Sequence, residues 1–303
     1  MARVLAIVGP TASGKSALAL DIAERHGGEI VSADSRQVYR GLSVGTAKPT
    51  AAEQARVPHH LIDVADPAER YDVSRYQREG RAALADIERR GKLAVVVGGT
   101  GLYVRALLDG LELESVPTDP DLRARLETEA AAGADLHERL RAVDPEAAAR
   151  TDPRNVRRVV RYLEASLLGG AVSARWRRGD AIAATKVGLA PPRPWLVARI
   201  ERRVRAMVEG GVLDEARGLL ERGIDPRLPS MSAHGYVHWM AHLRGDLSLE
   251  RAIELTIRDT RAYSRRQMTW FRRDEAVRWC DPTTVNSVAF ASAAFAEAAS
   301  LTS

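Results

Sequence analysis

The chain has 303 residues, of which 45% are apolar and 28% charged, a composition typical of soluble globular proteins. No run approaches the roughly 20 apolar residues that a membrane-spanning helix requires, and the single cysteine, Cys280, cannot form an internal disulfide, so we expect a cytoplasmic protein. The net charge is +5, and its placement along the chain carries more information than its size.

Two segments hold the positive charge. Residues 150–161 and 258–278 each have a net charge of +4, which leaves the rest of the chain slightly acidic. Two local basic surfaces indicate a polyanionic partner. An arginine-rich coding bias is an alternative explanation for the composition, because only four of the 45 Lys and Arg residues are lysines.

The N-terminal third alternates strands with helices. Unbroken apolar runs predict strands at 3–8, 29–32 and 93–97, and the intervening patterns predict helices at 15–26 and 71–89. Continuous apolar strands joined by helices are typical of parallel strands that are covered on both faces. The sequence therefore predicts an α/β fold with a doubly wound, P-loop-like parallel sheet.

Beyond this region the chain is mainly helical. Thr118-Asp119-Pro120 is a typical helix start, and no strand-like run follows as far as residue 168. We therefore predict a P-loop α/β core over 1–114, a small helical insertion over 115–185, and the rest of the core with a basic helical part over 186–303. On a helix predicted at 248–273, a rotation of about 100° per residue places four arginines on one face: Arg258, Arg261, Arg265 and Arg272.

A phosphate-binding loop follows the first predicted strand. Residues 9–16 fit GxxxxGK[ST] without a gap, between a strand and a helix. Backbone N–H groups and a helix N-terminus bind phosphate oxygens there, Lys15 adds a positive charge, and Ser16 is the candidate ligand for a Mg²⁺ ion carried by the phosphates. The predicted phosphate-binding residues are Gly9, Pro10, Thr11, Ala12, Ser13, Gly14, Lys15 and Ser16.

Two further strand ends are expected beside this loop, since ligands of doubly wound sheets bind at the carboxyl ends of the strands. Asp34 follows the strand at 29–32, and Thr100 follows the strand at 93–97. Structural roles stay open for both, Asp34 as a helix cap and Thr100 in a glycine-rich turn. Lys48, in another small-residue loop, is interpreted by default as a solvated lysine.

Six segments together resemble the tRNA dimethylallyltransferases, also called isopentenyl-diphosphate:tRNA transferases. They are GPTASGKS (9–16), SADSRQVYRGLSVGTAKP (32–49), PHHLIDVADP (58–67), VVGGTGLYVRALLDGL (96–111), RIERRVRAMVEGGVLDE (199–215) and TRAYSRRQMTWFR (260–272). The resemblance spans 9–273 in the family's order with no missing block, which makes the joint pattern very specific.

The resemblance implies transfer of a dimethylallyl group from dimethylallyl diphosphate to N6 of adenosine 37, in tRNAs that read codons beginning with U. Asp34 matches the general base, which a weakly nucleophilic adenine amine needs. Lys15, Arg203 and Mg²⁺ match the groups that neutralise the departing diphosphate, and Thr100 matches the residue that contacts its bridging oxygen. We expect a monomer with no obligate protein partner.

The resemblance also assigns contacts to tRNA. These fall on Asp34, Ser35, Arg36, Gln37, Thr100, Arg123, Arg157, Arg158, Val159, Val160, Arg161, Gly235, Tyr236, Arg261 and Arg265. Three aromatic residues of the basic C-terminal helix either stack on bases or pack in the core: Tyr263, Trp270 and Phe271.

The chain departs from the family pattern at a few positions. Ser232 and Val237 flank Gly235-Tyr236 where relatives carry a basic residue, and His234 and His238 are candidates to replace it. Arg154 stands where many relatives have Asn. The insertion has no zinc-finger pattern, which excludes the longer eukaryotic form. These differences concern individual tRNA contacts and not the reaction.

Three other functions stay open at this point. An adenylate isopentenyltransferase acting on free AMP or ADP would share the loop, Asp34 and Thr100, but it would have little use for two basic helical regions. A P-loop kinase or NTPase would hydrolyse or transfer phosphate from ATP. A non-catalytic RNA-binding protein would retain the loop without a reaction.

Overall fold

The computed structural model describes residues 4–111, 118–175, 180–231 and 235–300. The chain divides into two units, one formed by Met1–Leu108 with Ile182–Ser303 and the other by Asp109–Ala181. The second unit begins and ends earlier than the insertion predicted at 115–185. The difference at its end arises because Thr185 is the first residue of a strand in the sheet of the first unit.

A six-stranded parallel sheet forms the centre of the first unit. Its strands, in the spatial order β3-β2-β4-β1-β5-β6, are β1 (Val4–Val8), β2 (Glu29–Ser32), β3 (His59–His60), β4 (Ala94–Gly98), β5 (Thr185–Leu189) and β6 (Val277–Cys280). Every residue of β1, β2 and β4 is buried, as expected for strands covered on both faces. The predicted α/β fold with a doubly wound parallel sheet is confirmed.

Helices account for most of the remaining chain. Within the described ranges they are α1 (Lys15–Arg25), α2 (Ala51–Arg56), α3 (Val73–Arg89), α4 (Gly101–Leu108), α5 (Pro120–Ala131), α6 (Leu136–Val143), α7 (Pro145–Ala149), α8 (Val156–Gly169), α9 (Arg193–Glu209), α10 (Val212–Glu221), α11 (Tyr236–Leu243), α12 (Leu249–Phe271) and α13 (Ser287–Ser300). None of these helices has both the length and the apolar character needed to cross a membrane.

The sheet separates two apolar cores. Alternate residues of β1 point to opposite faces: Leu5 and Ile7 pack with α1 and α13, whereas Val4, Ala6 and Val8 pack with the helices of the other face. This layering leaves the carboxyl ends of the central strands β2, β4 and β1 side by side at one edge, and the turns that follow them build the site described below.

Three of the strands, β3, β5 and β6, were not predicted from the sequence. β3 has only two residues, and β5 carries Lys186 in its interior. In β6 the charged Arg278 is exposed between buried residues, so no continuous apolar run marks the strand. The other strands agree with prediction to within one residue, although the first was predicted from Arg3, which lies outside the described residues.

The second unit is a small helical bundle of α5 to α8. As predicted, Asp119 caps α5: its carboxylate accepts hydrogen bonds from the N–H groups of Asp121 and Leu122. The core of the bundle is formed by buried leucines and alanines together with Val159 and Val160 of α8. Glu164 is buried beside them, and it accepts hydrogen bonds from Asp119 N–H, Arg123 and Arg161.

Candidate active site

The phosphate-binding loop has the backbone that its sequence predicts. It leaves β1 at Gly9 and enters α1 at Lys15, with Ala12 and Gly14 in positive-φ conformations of 65° and 98°. Gly14 is the N-cap residue of α1 but has no side chain to accept hydrogen bonds from the first turn, and that turn contains no acidic residue. The N-terminus of α1 is therefore suited to bind an anion.

Lys15 lies where the loop ends and α1 begins. Its ammonium donates a hydrogen bond to the carbonyl oxygen of Pro10 at 3.2 Å and lines the cavity at the edge of the sheet. Burial lowers the pKa of Lys15 to about 8, the Asp34 carboxylate opposes this shift, and the Arg203 guanidinium adds to it. A lysine with this pKa gains charge readily when an anion binds next to it.

Asp34 and Thr100 meet because β2 and β4 are neighbouring parallel strands. Thr100 N–H donates to the carbonyl oxygen of Ala33 at 3.1 Å, and Thr100 Oγ1 accepts from Ser35 N–H at 3.0 Å. The Asp34 carboxylate accepts from Arg36 N–H at 2.9 Å, a contact that orients it within its own turn. The structure thus brings the two predicted strand ends together, although 66 positions separate them in the chain.

Arg203 reaches the same place from α9. Its guanidinium lies 3.5 Å from Thr11 Oγ1 in the phosphate-binding loop and 3.4 Å from the carbonyl oxygen of Thr46. Burial lowers the pKa of Arg203, and the nearby Asp34 carboxylate opposes the shift. A guanidinium that remains charged in this setting supplies a fixed positive group beside the loop.

Lys15, Asp34 and Arg203 line one cavity of about 220 Å³ within the first unit, and Thr100 is not among its lining residues. Lys15, Arg203 and the loop residues form its cationic wall, Asp34 lies on another wall, and apolar side chains such as Leu20 and Val97 contribute to the rest. The arrangement can hold a phosphate-bearing molecule at one side and accept a proton from a second molecule at the carboxylate.

Gln37, predicted to contact tRNA, is held by three internal hydrogen bonds. Its Oε1 accepts from Ser32 Oγ at 3.1 Å, and its Nε2 donates to the carbonyl oxygens of Ala47 at 3.2 Å and Thr46 at 3.4 Å. The side chain still lines the cavity. Its position is therefore fixed by the loop at 43–49 before any ligand arrives.

That loop is itself anchored by Glu215 on α10. The carboxylate accepts hydrogen bonds from the N–H groups of Ser43, Val44 and Gly45 and from the hydroxyl of Tyr236. The Tyr236 side chain is completely buried, and a Cβ on Gly45 would lie within 2.8 Å of its ring. The Tyr236 side chain therefore supports this loop, and the contact of Tyr236 with tRNA stays a prediction.

Two expectations about side-chain exposure change with the structure. Val159 and Val160 are core residues of the second unit, 2% and 1% exposed, so their side chains pack inward, and the contact of these two residues with tRNA stays a prediction. Lys48 is not solvated: its ammonium is buried and pairs with Asp63 at 2.5 Å and with the Tyr39 carbonyl oxygen at 2.8 Å. It stabilises the loop and does not offer a free charge to a ligand.

The predicted arginine surfaces are only partly free. Arg157 and Arg158 are exposed on α8, and Arg265 is exposed on α12. Arg261 is paired with Glu201, and the arginines at 123 and 161 share the buried carboxylate of residue 164.

The remaining candidates divide between described and undescribed residues. Gly235 caps α11 with φ 82°, and His238 is paired with Asp259 at 2.9 Å. Ser232 and His234 lie outside the described residues.

Two side chains of α12 line the cavity: Gln267, which sequence reasoning missed, and Tyr263, which it considered only as a residue that stacks on RNA or packs in the core. Gln267 bonds to both the phosphate-binding loop and the turn before Thr100, and Tyr263 hydrogen-bonds with Thr100 and Gln267. Phe271 is buried, and Trp270 covers Gly101, so these two aromatic residues pack against the core. The signal that could have found Gln267 is a polar residue on the apolar stripe of an amphipathic helix.

Comparison with known proteins agrees with this geometry. The family model for IPP transferase matches residues 37–274, and the model for isopentenyl transferase matches residues 2–63. The tRNA dimethylallyltransferase of Anaeromyxobacter dehalogenans (strain 2CP-C) is 51% identical over 286 residues, which cover 92% of this chain and 95% of that protein. The tRNA dimethylallyltransferase of Roseiflexus castenholzii is 51% identical over 277 residues, which cover 90% of each chain.

Solved structures give the same result. The full-length tRNA isopentenylpyrophosphate transferase from Bacillus halodurans is similar with a TM-score of 0.73 and 39% identity, and the match covers 99% of both chains. A eukaryotic dimethylallyltransferase acting on tRNA is similar with a TM-score of 0.78 and 26% identity, over 92% of this chain and 73% of that one. The chain therefore belongs to the IPP transferase family.

Proposed function

We propose that this protein is a tRNA dimethylallyltransferase. It transfers the dimethylallyl group from dimethylallyl diphosphate to N6 of adenosine 37, in tRNAs that read codons beginning with U, and releases diphosphate. The observation that carries the proposal is that one cavity combines the phosphate-binding loop after β1, two cations and the Asp34 carboxylate after β2, which is separated from β1 by β4 alone. The membership of the IPP transferase family supports the same reaction.

The loop and its cations hold the leaving group. When the bond between the allylic carbon and oxygen breaks, positive charge develops on carbon and negative charge on the diphosphate. Lys15, Arg203 and the N-terminus of α1 lie where they can stabilise that negative charge. Each such contact lowers the barrier by about 3 kcal/mol, which increases the rate roughly a hundredfold.

Asp34 acts on the acceptor. The lone pair of the adenine amine is delocalised into the ring, so N6 attacks the allylic carbon only as its proton is removed. The new bond joins N6 to that carbon, the bonding electrons of the broken bond leave with the diphosphate, and the proton passes to the Asp34 carboxylate. Thr100 Oγ1 accepts from Ser35 N–H and donates to Ser35 Oγ at 3.3 Å; when the diphosphate is bound, its O–H would turn from Ser35 Oγ to donate to the bridging oxygen.

A Mg²⁺ ion fits this site as a partner of the diphosphate. Within the described residues there is no group of three or more His, Cys, Asp or Glu side chains that could hold a metal ion. Ser16 is exposed at the start of α1 and lines the cavity, where its hydroxyl would hold the ion together with phosphate oxygens and water. When bound, the ion would supply additional charge to the departing diphosphate.

The tRNA is bound through its backbone charge and a displaced base. The exposed Arg157, Arg158 and Arg265 are suited to phosphate contacts, and adenosine 37 lies in a loop, where turning a base outward costs less than in a duplex. The turn of Asp34, Ser35 and Gln37 would read the base. We further propose that the enzyme works as a monomer in the cytoplasm.

A comparison of acceptors tests the proposal. With dimethylallyl diphosphate as donor, prenylation of an anticodon stem-loop should exceed that of AMP by several orders of magnitude in kcat/KM. The reverse preference would identify an adenylate isopentenyltransferase. ATP turnover in the absence of an RNA acceptor would identify a kinase or NTPase, and RNA binding without any turnover would identify a binding protein.

A further inference from the structure

One buried glutamine joins two walls of the cavity. Gln267 lies on α12 and is 4% exposed. Its Oε1 accepts a hydrogen bond from Thr11 N–H at 2.8 Å, and its Nε2 donates to the carbonyl oxygen of Gly99 at 2.9 Å. Both ends of the side-chain amide are therefore used, one on the phosphate-binding loop and the other on the turn that precedes Thr100.

The surroundings hold this amide in place. A Cβ on Gly99 would lie 2.0 Å from Gln267 Nε2, so the side chain rests directly against the backbone of the turn. Tyr263, one helical turn earlier on α12, hydrogen-bonds with both Gln267 and Thr100. Two side chains of one helix thus fix the loop at 9–16 and the turn at 98–100 relative to each other.

Each end of the bridge continues to a group that the proposed reaction uses. On one side, Thr11 Oγ1 lies 3.5 Å from Arg203, which would hold the leaving group. On the other side, Thr100 accepts from Ser35 N–H, in the turn that carries Asp34. Gln267 therefore connects the leaving-group side to the base side, and its two amide atoms are already occupied by the protein backbone.

We propose that Gln267 is a positioning residue for prenyl transfer: its two hydrogen bonds set the distance between the diphosphate held by the loop at 9–16 and the acceptor amine held at Asp34 and Thr100. The inference rests on the proposed function. Transfer in line with a departing diphosphate requires the reacting atoms within about 3.5 Å, and a shift of about 1 Å costs roughly a hundredfold in rate. Losing the bridge should therefore slow the chemical step while substrates still bind.

Two substitutions at Gln267 remove either one or both of these hydrogen bonds. Gln267→Glu keeps an oxygen for Thr11 N–H but cannot donate to Gly99 when ionised, and Gln267→Leu removes both hydrogen bonds. Gln77→Glu is the matched control, because Gln77 is 5% exposed on α3 and donates to the carbonyl oxygen of Ala106 at 2.6 Å, outside the cavity. If Gln267 had only a structural role, its variants would resemble Gln77→Glu: the unfolding temperature would fall, but the rate of prenyl transfer would not.

The readouts are the single-turnover rate of prenyl transfer at saturating dimethylallyl diphosphate and anticodon stem-loop, the Kd of each substrate, and the unfolding temperature. We expect both Gln267 variants to lose about a hundredfold in rate at saturation, Gln267→Leu to keep Kd values within threefold of wild type, and Gln77→Glu to keep the wild-type rate. Wild-type rates in both Gln267 variants would overturn the inference. A loss that disappears at higher substrate concentration would also overturn it.

If the substitutions at Gln267 prevent folding, a substitution at Gly99, whose carbonyl oxygen accepts from Gln267, provides the same test. Gly99→Ala forces Gln267 Nε2 away from the carbonyl oxygen without altering the glutamine. It should reproduce the loss of rate, and a folded Gly99→Ala protein with wild-type rate would refute the positioning role. If the wild-type protein does not prenylate RNA at all, the proposed function fails, a result distinct from unaffected variants of an active enzyme.

Discussion

The pKa of Lys15 leads to a pH dependence that can be measured without the acceptor. Burial lowers that pKa to about 8 in the free protein, whereas the ordinary value is 10.5. Binding of dimethylallyl diphosphate favours the charged form, so affinity is fully present below pH 8 and is lost as the pH rises above it. At pH 9 only about one-tenth of free Lys15 is charged, which predicts a loss of affinity of roughly tenfold, or ~1.4 kcal/mol, between pH 7 and pH 9.

Calorimetric titration with dimethylallyl diphosphate in a metal-free buffer tests this prediction. The last pKa of a phosphate monoester is about 6, so the charge of the ligand is nearly constant over this range. Lys15→Met is the control, and it should bind weakly with little dependence on pH. An affinity of the wild type that stays constant to pH 9 would refute a lowered pKa for Lys15, because a lysine of pKa 10.5 is still almost fully charged at pH 9.

Three further predictions concern the acid, the loop anchor and the RNA surface. Asp34→Asn should lower the single-turnover rate of prenyl transfer at least about a hundredfold while dimethylallyl diphosphate binds normally, and a wild-type rate would exclude Asp34 as the base. Glu215→Gln should lower the free energy of unfolding in urea by about 1–3 kcal/mol, because the amide nitrogen that replaces one carboxylate oxygen cannot accept from Gly45 N–H and the Tyr236 hydroxyl, whereas Tyr236→Phe should cost less; equal effects would argue against the anchoring role. Replacing Arg157 and Arg158 by alanine should reduce the slope of log K for tRNA against log salt by about 1–2, and an unchanged slope would place those arginines away from the RNA.

Local sequence patterns were sufficient to predict the framework of the site. The loop at 9–16 has a fixed spacing because a strand, an anion-binding turn and a helix must follow each other there. Asp34 and Thr100 could be predicted to converge because both follow buried parallel strands, whose carboxyl ends lie at one edge of a sheet. The hydrogen bond between Ser35 and Thr100 confirms that convergence.

Contacts distant in sequence could not be predicted in this way. Gln267 and Thr11 are 256 positions apart, and no local pattern relates them. Glu215 has the same kind of role, since it serves three backbone N–H groups of a loop some 170 positions earlier. In both cases the residue type was visible in the sequence, but its partner depends on how α10 and α12 pack on the sheet.

The buried face of α8 could have been predicted from the sequence. Val159, Val160 and Leu163 follow the i, i+1, i+4 spacing of an apolar stripe on α8, which is typical of a helix face turned to a core. The resemblance assigned a continuous RNA-binding run to this helix, but its exposed face carries Arg157 and Arg158. Helical periodicity separates the two faces, and it should take precedence where a segment-wide assignment conflicts with it.

Mass spectrometry of RNA nucleosides tests the central claim most directly. The purified protein is incubated with dimethylallyl diphosphate, Mg²⁺ and an unmodified anticodon stem-loop from a tRNA that reads a codon beginning with U, and the digest is analysed for modified adenosine. We predict N6-(dimethylallyl)adenosine at position 37 and its absence when position 37 is guanosine. Unmodified adenosine after complete incubation with folded, RNA-bound protein would contradict the account.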